Sequence, residues 1–253
     1  MKNDLQKANM LKRVSAGTFD IILLVCLVMM IAVGLSALLH YDNYLARMDA
    51  AYEQYGKMYG VDVSISWEDY EKLPEETKEL YDQTLTAINQ DQEVMRNYSM
   101  VVNLTLVIAT ISILLGYVLL ELLIPLYFGN GQTVGKKIFG IALMRTDGVK
   151  VTPFMMFVRT VLGKYTLETM IPVLIIVMLL FQMVGMMGTM ILGLILLLQA
   201  VLVAVTRTNS MLHDLLACTV AVDMASQMMF DSPEARIEYL KKQSAEAANR
   251  AAY

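Results

Sequence analysis

The sequence predicts an all-α membrane protein: four transmembrane helices, an extracytoplasmic helical hairpin between the first two, and a small cytoplasmic β-hairpin after the second. Three observations predict it. The 253-residue chain is 57% apolar and 17% charged, whereas soluble domains average about 45–50% and about 25%. Four stretches approach the roughly 20 apolar residues that a spanning helix needs. Lys and Arg collect in the segments on one side of those stretches, and Asp and Glu on the other.

The spans are expected at residues 18–39, 100–127, 167–184 and 187–205. The first is interrupted only by Asp20 and the second only by Glu121. The apolar run of the first is too long for the core of a signal peptide, so that span is read as retained. Between the last two spans, "FQMVGMMGT" holds two glycines and no charge, which predicts a tight turn. Residues 1–17 carry Lys2, Lys7, Lys12 and Arg13 against Asp4, and residues 129–166 carry six basic residues against Asp147. Residues 40–99 reverse the balance, with thirteen acids and five bases. Positive charge stays inside. Both termini (1–17 and 206–253) and the 128–166 segment are therefore expected in the cytoplasm of an inner-membrane protein, with 40–99 outside. Cys26 then sits in lipid and Cys218 in a reducing compartment, so no structural disulfide is expected.

The outer segment has helical periodicity. Tyr41, Leu45, Met48, Tyr52, Tyr55 and Tyr59 form a heptad seam, and Tyr81, Leu85, Ile88, Gln92, Met95 and Ser99 follow the same steps. Ser66 and Pro74 supply helix starts between them. After the second span, "KIFGIALMRTDGVKVTP" places apolar and β-branched residues around Asp147-Gly148, a hairpin signal. Thr152 and Pro153 then cap a short helix, expected along the membrane surface with Arg159 and Lys164 at the headgroups. In the tail, "MLHDLLACTVAVDM" reads as a helical turn followed by a strand that could join the hairpin. Ser232-Pro233-Glu234 opens a last polar helix.

Most enzyme chemistry is excluded by what the chain lacks. "GNGQTVGKK" has the wrong spacing for a phosphate loop and has Lys137 where Ser or Thr would hold magnesium. His40 and His213 are predicted on opposite sides of the membrane, so no histidine metal cluster forms. No nucleophile–base–orienter set exists, so neither catalytic residues, cofactor nor metal is expected. A net charge of −4 without a basic soluble face excludes nucleic acid. The 21 methionines are read as packing residues.

The informative residues are ionisable groups at membrane depth, which default to a functional reading. Arg13, Asp20, Glu121, Arg159, Glu168, His213 and Asp214 all fall near the inner leaflet. Arg13 and Asp20 are seven apart and share a helix face. Glu168 precedes Pro172 by four residues, so its carbonyl loses its helical donor. These groups could pair and lock helix ends together, or carry a proton or cation. Asn103, Thr105, Thr110, Ser112, Gln182 and Gln199 could line a route or bond neighbouring helices.

Three blocks resemble the RDD family of small bacterial membrane proteins: "RVSAGTFD", "GQTVGKKIFGIALMRTDG" and "NSMLHDLLACTVAV". The family is named for one Arg and two Asp, which match Arg13, Asp20 and Asp214. Thr133, Gly135, Lys136 and Gly140 match its central signature, and His213 with Thr219 the last. Some members have been proposed as cation/proton antiporters. The resemblance implies a small secondary transporter for monovalent cations and protons, with Asp20 and Asp214 as exchangeable carboxylates and Arg13 or Arg159 as their shared partner. The alternative is a membrane scaffold or accessory subunit that binds a protein through the outer hairpin or tail. The lipid bilayer is a partner on either reading. A homo-oligomer is expected for a transporter, with Ala32, Ser36, Gly185, Gly188 and Gly193 as candidate contacts.

Overall fold

The computed structural model describes residues 6–180 and 184–251. Helix α1 spans Met10–Leu38, α2 Tyr41–Tyr59, α3 Trp67–Glu71, α4 Glu75–Gln90 and α5 Gln92–Tyr117. A π-helical segment, Val118–Leu123, leads into α6 (Ile124–Phe128), then α7 (Val134–Ile138) and strand β1 (Ile141–Arg145). Helix α8 (Pro153–Phe157), a second π-helical segment (Val158–Met170) and α9 (Ile171–Leu180) follow without a break. The chain ends with α10 (Met186–Val205), α11 (Leu212–Leu216), β2 (Thr219–Asp223) and α12 (Pro233–Ala251).

Among the described residues, four helical runs are long and apolar enough to cross a membrane: Met10–Leu38, Gln92–Phe128, Pro153–Leu180 and Met186–Val205. The fold class is therefore the expected one, with each helical run longer than the span expected there. Part of the turn expected between the last two spans, Phe181 to Met183, lies outside the described residues, and Gln182 with it. The separate surface helix expected at 153–165 does not form. Thr152 caps α8 as predicted, but the helix runs on through the π segment into the third span. Its residues Arg159, Thr160, Gly163 and Tyr165 are buried against protein, which a helix lying among headgroups would not achieve.

The chain divides into two compact units, Met1–Met29 with Ile113–Tyr253, and Met30–Ser112. In the second, His40 takes a left-handed conformation (φ 53°) and ends the first span. Helices α2 and α4 then pack together, with Gly56, Thr84 and Ile88 buried. The side chain of Ser66 caps α3 by accepting the Asp69 N–H. Tyr70 lies between Trp67 and Tyr81, with ring centres 5.3 and 5.0 Å away. Asp91 separates α4 from α5, accepting the Glu93 and Val94 amides and the Tyr55 hydroxyl. The acid-rich hairpin read from the heptad seam is present.

In the first unit, β1 pairs antiparallel with β2, in the register Ile141↔Asp223 to Arg145↔Thr219. The expected sheet is there, but its second strand comes from the tail. Asp147-Gly148 does make a tight turn, with the Gly148 N–H donating to Arg145 O at 3.0 Å. Its return limb meets β1 at the bridge of Met144 with Lys150, and its Val149 bridges Phe230 of the tail. Both sheet faces are covered. Ile141, Leu143 and Ala221 pack with Ala8, Ala16 and Met156, while Ala142, Met144, Val220 and Val222 form the opposite cluster. The N-terminal segment joins the other edge of β2 through Lys7 and Val222. The sheet thereby ties the start of α1 to the tail that carries Asp214.

Candidate functional site: a charged cavity

A cavity of about 420 Å3 opens in the first unit, within the range of about 300–1,000 Å3 typical of small-ligand sites. Arg13, Asp20, Glu121, Arg159, Glu168 and Asp214 lie on its wall, joined by His213, Lys136 and Lys164. The sequence-predicted charges thus share one cavity, though not as one cluster around an arginine.

Asp214 does meet arginine. Helix α11 presents it to the second π segment, and its Oδ1 accepts from Arg159 Nε at 3.1 Å and Nη2 at 2.9 Å. The Thr219 hydroxyl donates to the same oxygen at 3.3 Å, and Arg13 Nη2 lies 3.9 Å from Oδ2. Arg13 spends its other contacts on the carbonyls of Thr208 and Asn209. Burial alone would raise the Asp214 carboxyl, but Arg159, His213 and Arg13 hold it well below the usual carboxylate range. A Cβ on Gly163 would lie 2.6 Å from His213 Cβ, so glycine there permits α11 to approach this closely.

Asp20 has other partners. Its Oδ1 accepts the Gly135 N–H at 2.7 Å, and its Oδ2 accepts the Thr133 hydroxyl. That hydroxyl caps α7 and accepts from the Lys136 N–H and Nζ at 3.3 Å each. A Cβ on Gly135 would stand 2.9 Å from the Asp20 carboxyl. The signature residues Thr133, Gly135 and Lys136 therefore build a receptor for a carboxylate of α1. The expected convergence of Asp20 and Asp214 on one arginine fails because the start of α7 supplies Asp20 with its donors. Gly140, the other signature glycine, turns the chain into β1 at φ 67°.

Glu168 accepts the His213 amide at 2.9 Å through Oε1, and its Oε2 lies 2.7 Å from His213 Nδ1. His213 Nε2 is 3.5 Å from Asp214 Oδ1, so the imidazole stands between two carboxylates. Burial pushes its pKa below the ordinary value, with Arg159 adding to the effect and Asp214 and Glu168 opposing it. Lys136 is pushed down to about 8 by burial, with Lys164 and Arg159 adding and Glu121 opposing.

Glu121 pairs with Lys164, 2.6 Å from Nζ to Oε2. A position for Lys164 at the headgroups, expected from the sequence, does not foresee this pair. The reason is local geometry. Arg159 and Lys164 are five residues apart, far from one face of an α-helix, but the i→i+5 repeat of a π-helix brings them into line. A signal for both π segments does exist in the sequence: "LELLIP" (120–125) and "LETMIP" (167–172) share a Leu-Glu-x-x-Ile-Pro pattern. Each proline lacks an N–H and crowds the carbonyl four residues back, and each π segment ends just before that Ile-Pro pair. Each glutamate faces the cavity. Proline-interrupted membrane helices at matching positions mark binding sites in transporters.

Other polar residues expected in the spans bond their own helix or a neighbouring element. Thr105 donates to Val101 O at 2.8 Å and to Tyr41 Oη at 3.2 Å, while Gln199 accepts the Leu212 amide at 3.4 Å. The Ser112 hydroxyl is buried without a hydrogen-bond partner among the described residues. Cys26 and Cys218 are free and exposed, and no metal-holding cluster of His, Cys, Asp or Glu occurs among the described residues.

No curated protein and no solved structure matches this chain. The model of the RDD family matches residues 7–218, a stretch that takes in Arg13, Asp20, the Thr133–Gly140 signature, both Leu-Glu-x-x-Ile-Pro turns and Asp214. The chain is a member of the RDD family of membrane proteins.

Proposed function

We propose that this protein is a small secondary transporter that exchanges protons for monovalent cations at the charged cavity. One observation carries the reading: His213 lies between Glu168 and Asp214 on the cavity wall. A proton on the imidazole places positive charge between the two carboxylates. Its loss leaves Asp214 paired with Arg159 and takes the positive charge away from Glu168, where a cation in the cavity would compensate. Glu121 offers a second landing point, since its ion pair with Lys164 lies outside hydrogen-bond geometry at Oε2. The acid and base counts of the loops support an inner-membrane orientation with both termini in the cytoplasm. Labelling Gly60→Cys with an impermeant reagent in intact cells should succeed in that orientation and fail in the reverse. Gly193 has open space where a Cβ would stand, with nothing within 4 Å beyond its own helix backbone, and is a contact candidate for a second copy.

The test is flux. Proteoliposomes loaded with a pH-sensitive dye should alkalinise when sodium or potassium is added on one side, and His213→Gln should abolish the exchange. Unchanged flux in that variant, or no flux with any monovalent cation, would remove the transport reading. The scaffold reading would then stand. It is favoured by the closure of Asp20 and Asp214 on fixed partners and by Ile237 of α12, which is 51% exposed.

A further inference from the structure

Apart from Glu121 Oε2 and Asp214 Oδ2, which Arg13 approaches at 3.9 Å, the hydrogen-bonding capacity left in the cavity is cationic. Both oxygens of Asp20 and both of Glu168 already have donors, and Asp214 Oδ1 accepts from three N–H or O–H groups. Arg159 is different. Its side chain is 3% exposed, and Nη1, with two N–H groups, is buried without a hydrogen-bond partner among the described residues. Lys136 Nζ, also on the wall, donates to Thr133 Oγ1 at a long 3.3 Å. Buried N–H groups left unpaired are costly, and charged ones bind oxyanions strongly.

We infer that this cavity binds an anionic phosphate-type group, held between Arg159 Nη1 and Lys136 Nζ. The guanidinium offers planar, paired donors suited to phosphate oxygens, and the ammonium adds a mobile point charge. A cation at that point would face N–H groups rather than an open carboxylate oxygen such as Glu121 Oε2. The group can come from a lipid headgroup or from a free ion. The cavity wall bears on this: Met10, Val14 and Ile21 line it yet are 50%, 54% and 60% exposed. That side of the cavity is also the outer surface of a spanning helix, where a headgroup could enter while its acyl chains stay along α1. The inference concerns binding, so it does not depend on flux and survives if the transport reading fails.

The experiment uses the full chain in phosphatidylcholine nanodiscs, with two arms. One adds phosphatidylglycerol to the bilayer; the other adds millimolar inorganic phosphate to the buffer. Native mass spectrometry counts retained lipid, and the thermal unfolding midpoint reports either ligand. Binding in the first arm alone assigns the headgroup, and binding in the second assigns the free ion. Arg159 also holds Asp214, so the deciding variant is Lys136→Gln, which should weaken binding roughly tenfold, equivalent to one lost charged contact. Lys136→Arg should restore it. Binding by neither probe, or equal binding by wild type and Lys136→Gln, would overturn the assignment.

Discussion

In the Met30–Ser112 unit, the Lys57–Glu53 and Lys72–Asp69 pairs have side chains 62–74% exposed, whereas in the other unit Arg159 and Asp214 are each 3% exposed. The acid-rich hairpin keeps its charges in water and builds its interior from Gly56, Thr84 and Ile88. The cavity unit buries charge and surrounds it with fixed donors. Exposed pairs gain little over hydration. Buried ones must recover a large desolvation cost through geometry, so their presence marks the region where charge serves more than solubility. The same residue types therefore carry different information in the two units.

The comparison breaks most sharply at Asp214. Asp214→Asn would leave Arg159 buried with a neutral partner for its Nε and Nη2, while Arg13 is 3.9 Å away and already engaged. Removing one member of a buried pair costs about 3–5 kcal/mol. Thermal unfolding in detergent should show a loss of that order, with reduced folded yield. A midpoint close to wild type would mean that the pair is not what organises this end of the unit.

A smaller effect should be seen through His213. Its folded pKa lies below the unfolded value of 6.5, so the folded state binds its proton less readily than the unfolded state. The sign follows from linkage: the stabilisation is fully present above that unfolded value and is lost as pH falls through the folded one. The unfolding midpoint should therefore drop as pH falls below about 6.5, and His213→Gln should flatten that slope. A wild-type midpoint constant through this window would contradict the buried, neutral imidazole. The Asp214 carboxyl, held low, acts in a separate and more acidic window.

Much of this was legible in the residues. The apolar runs marked all four spans, and the heptad tyrosines marked α2. Ser66, Thr152 and Ser232 marked helix starts, because a side-chain oxygen at those positions satisfies an amide that the helix leaves open. The membership of Arg159, Glu168 and Asp214 in one site was legible from charge at membrane depth. Pairings were not. Asp20 bonds to a backbone amide at Gly135 and to a hydroxyl, and backbone donors leave no trace in composition. Lys164 turns toward Glu121 because of π geometry, which a search for the 3.6-residue period does not see. The return strand is sequence-distant, since Asp147-Gly148 fixes the turn but not which edge β1 prefers.

The smallest effect belongs to the acid-rich hairpin, and it sharpens the comparison by being small. Lys57 Nζ lies 2.5 Å from Glu53 Oε1, one helical turn away, a pair that looks stronger than many in the cavity unit by distance alone. Its environment decides otherwise. Both side chains are mostly solvated, so water takes over when either charge is removed, and salt screens what attraction remains. The lowered pKa of Glu53 comes first from its hydrogen bond to Lys57, a local contact that no buried group depends on. Lys57→Gln should leave the unfolding midpoint indistinguishable from wild type at physiological ionic strength, while Asp214→Asn lowers it. Equal losses from the two substitutions would show that burial does not rank these pairs.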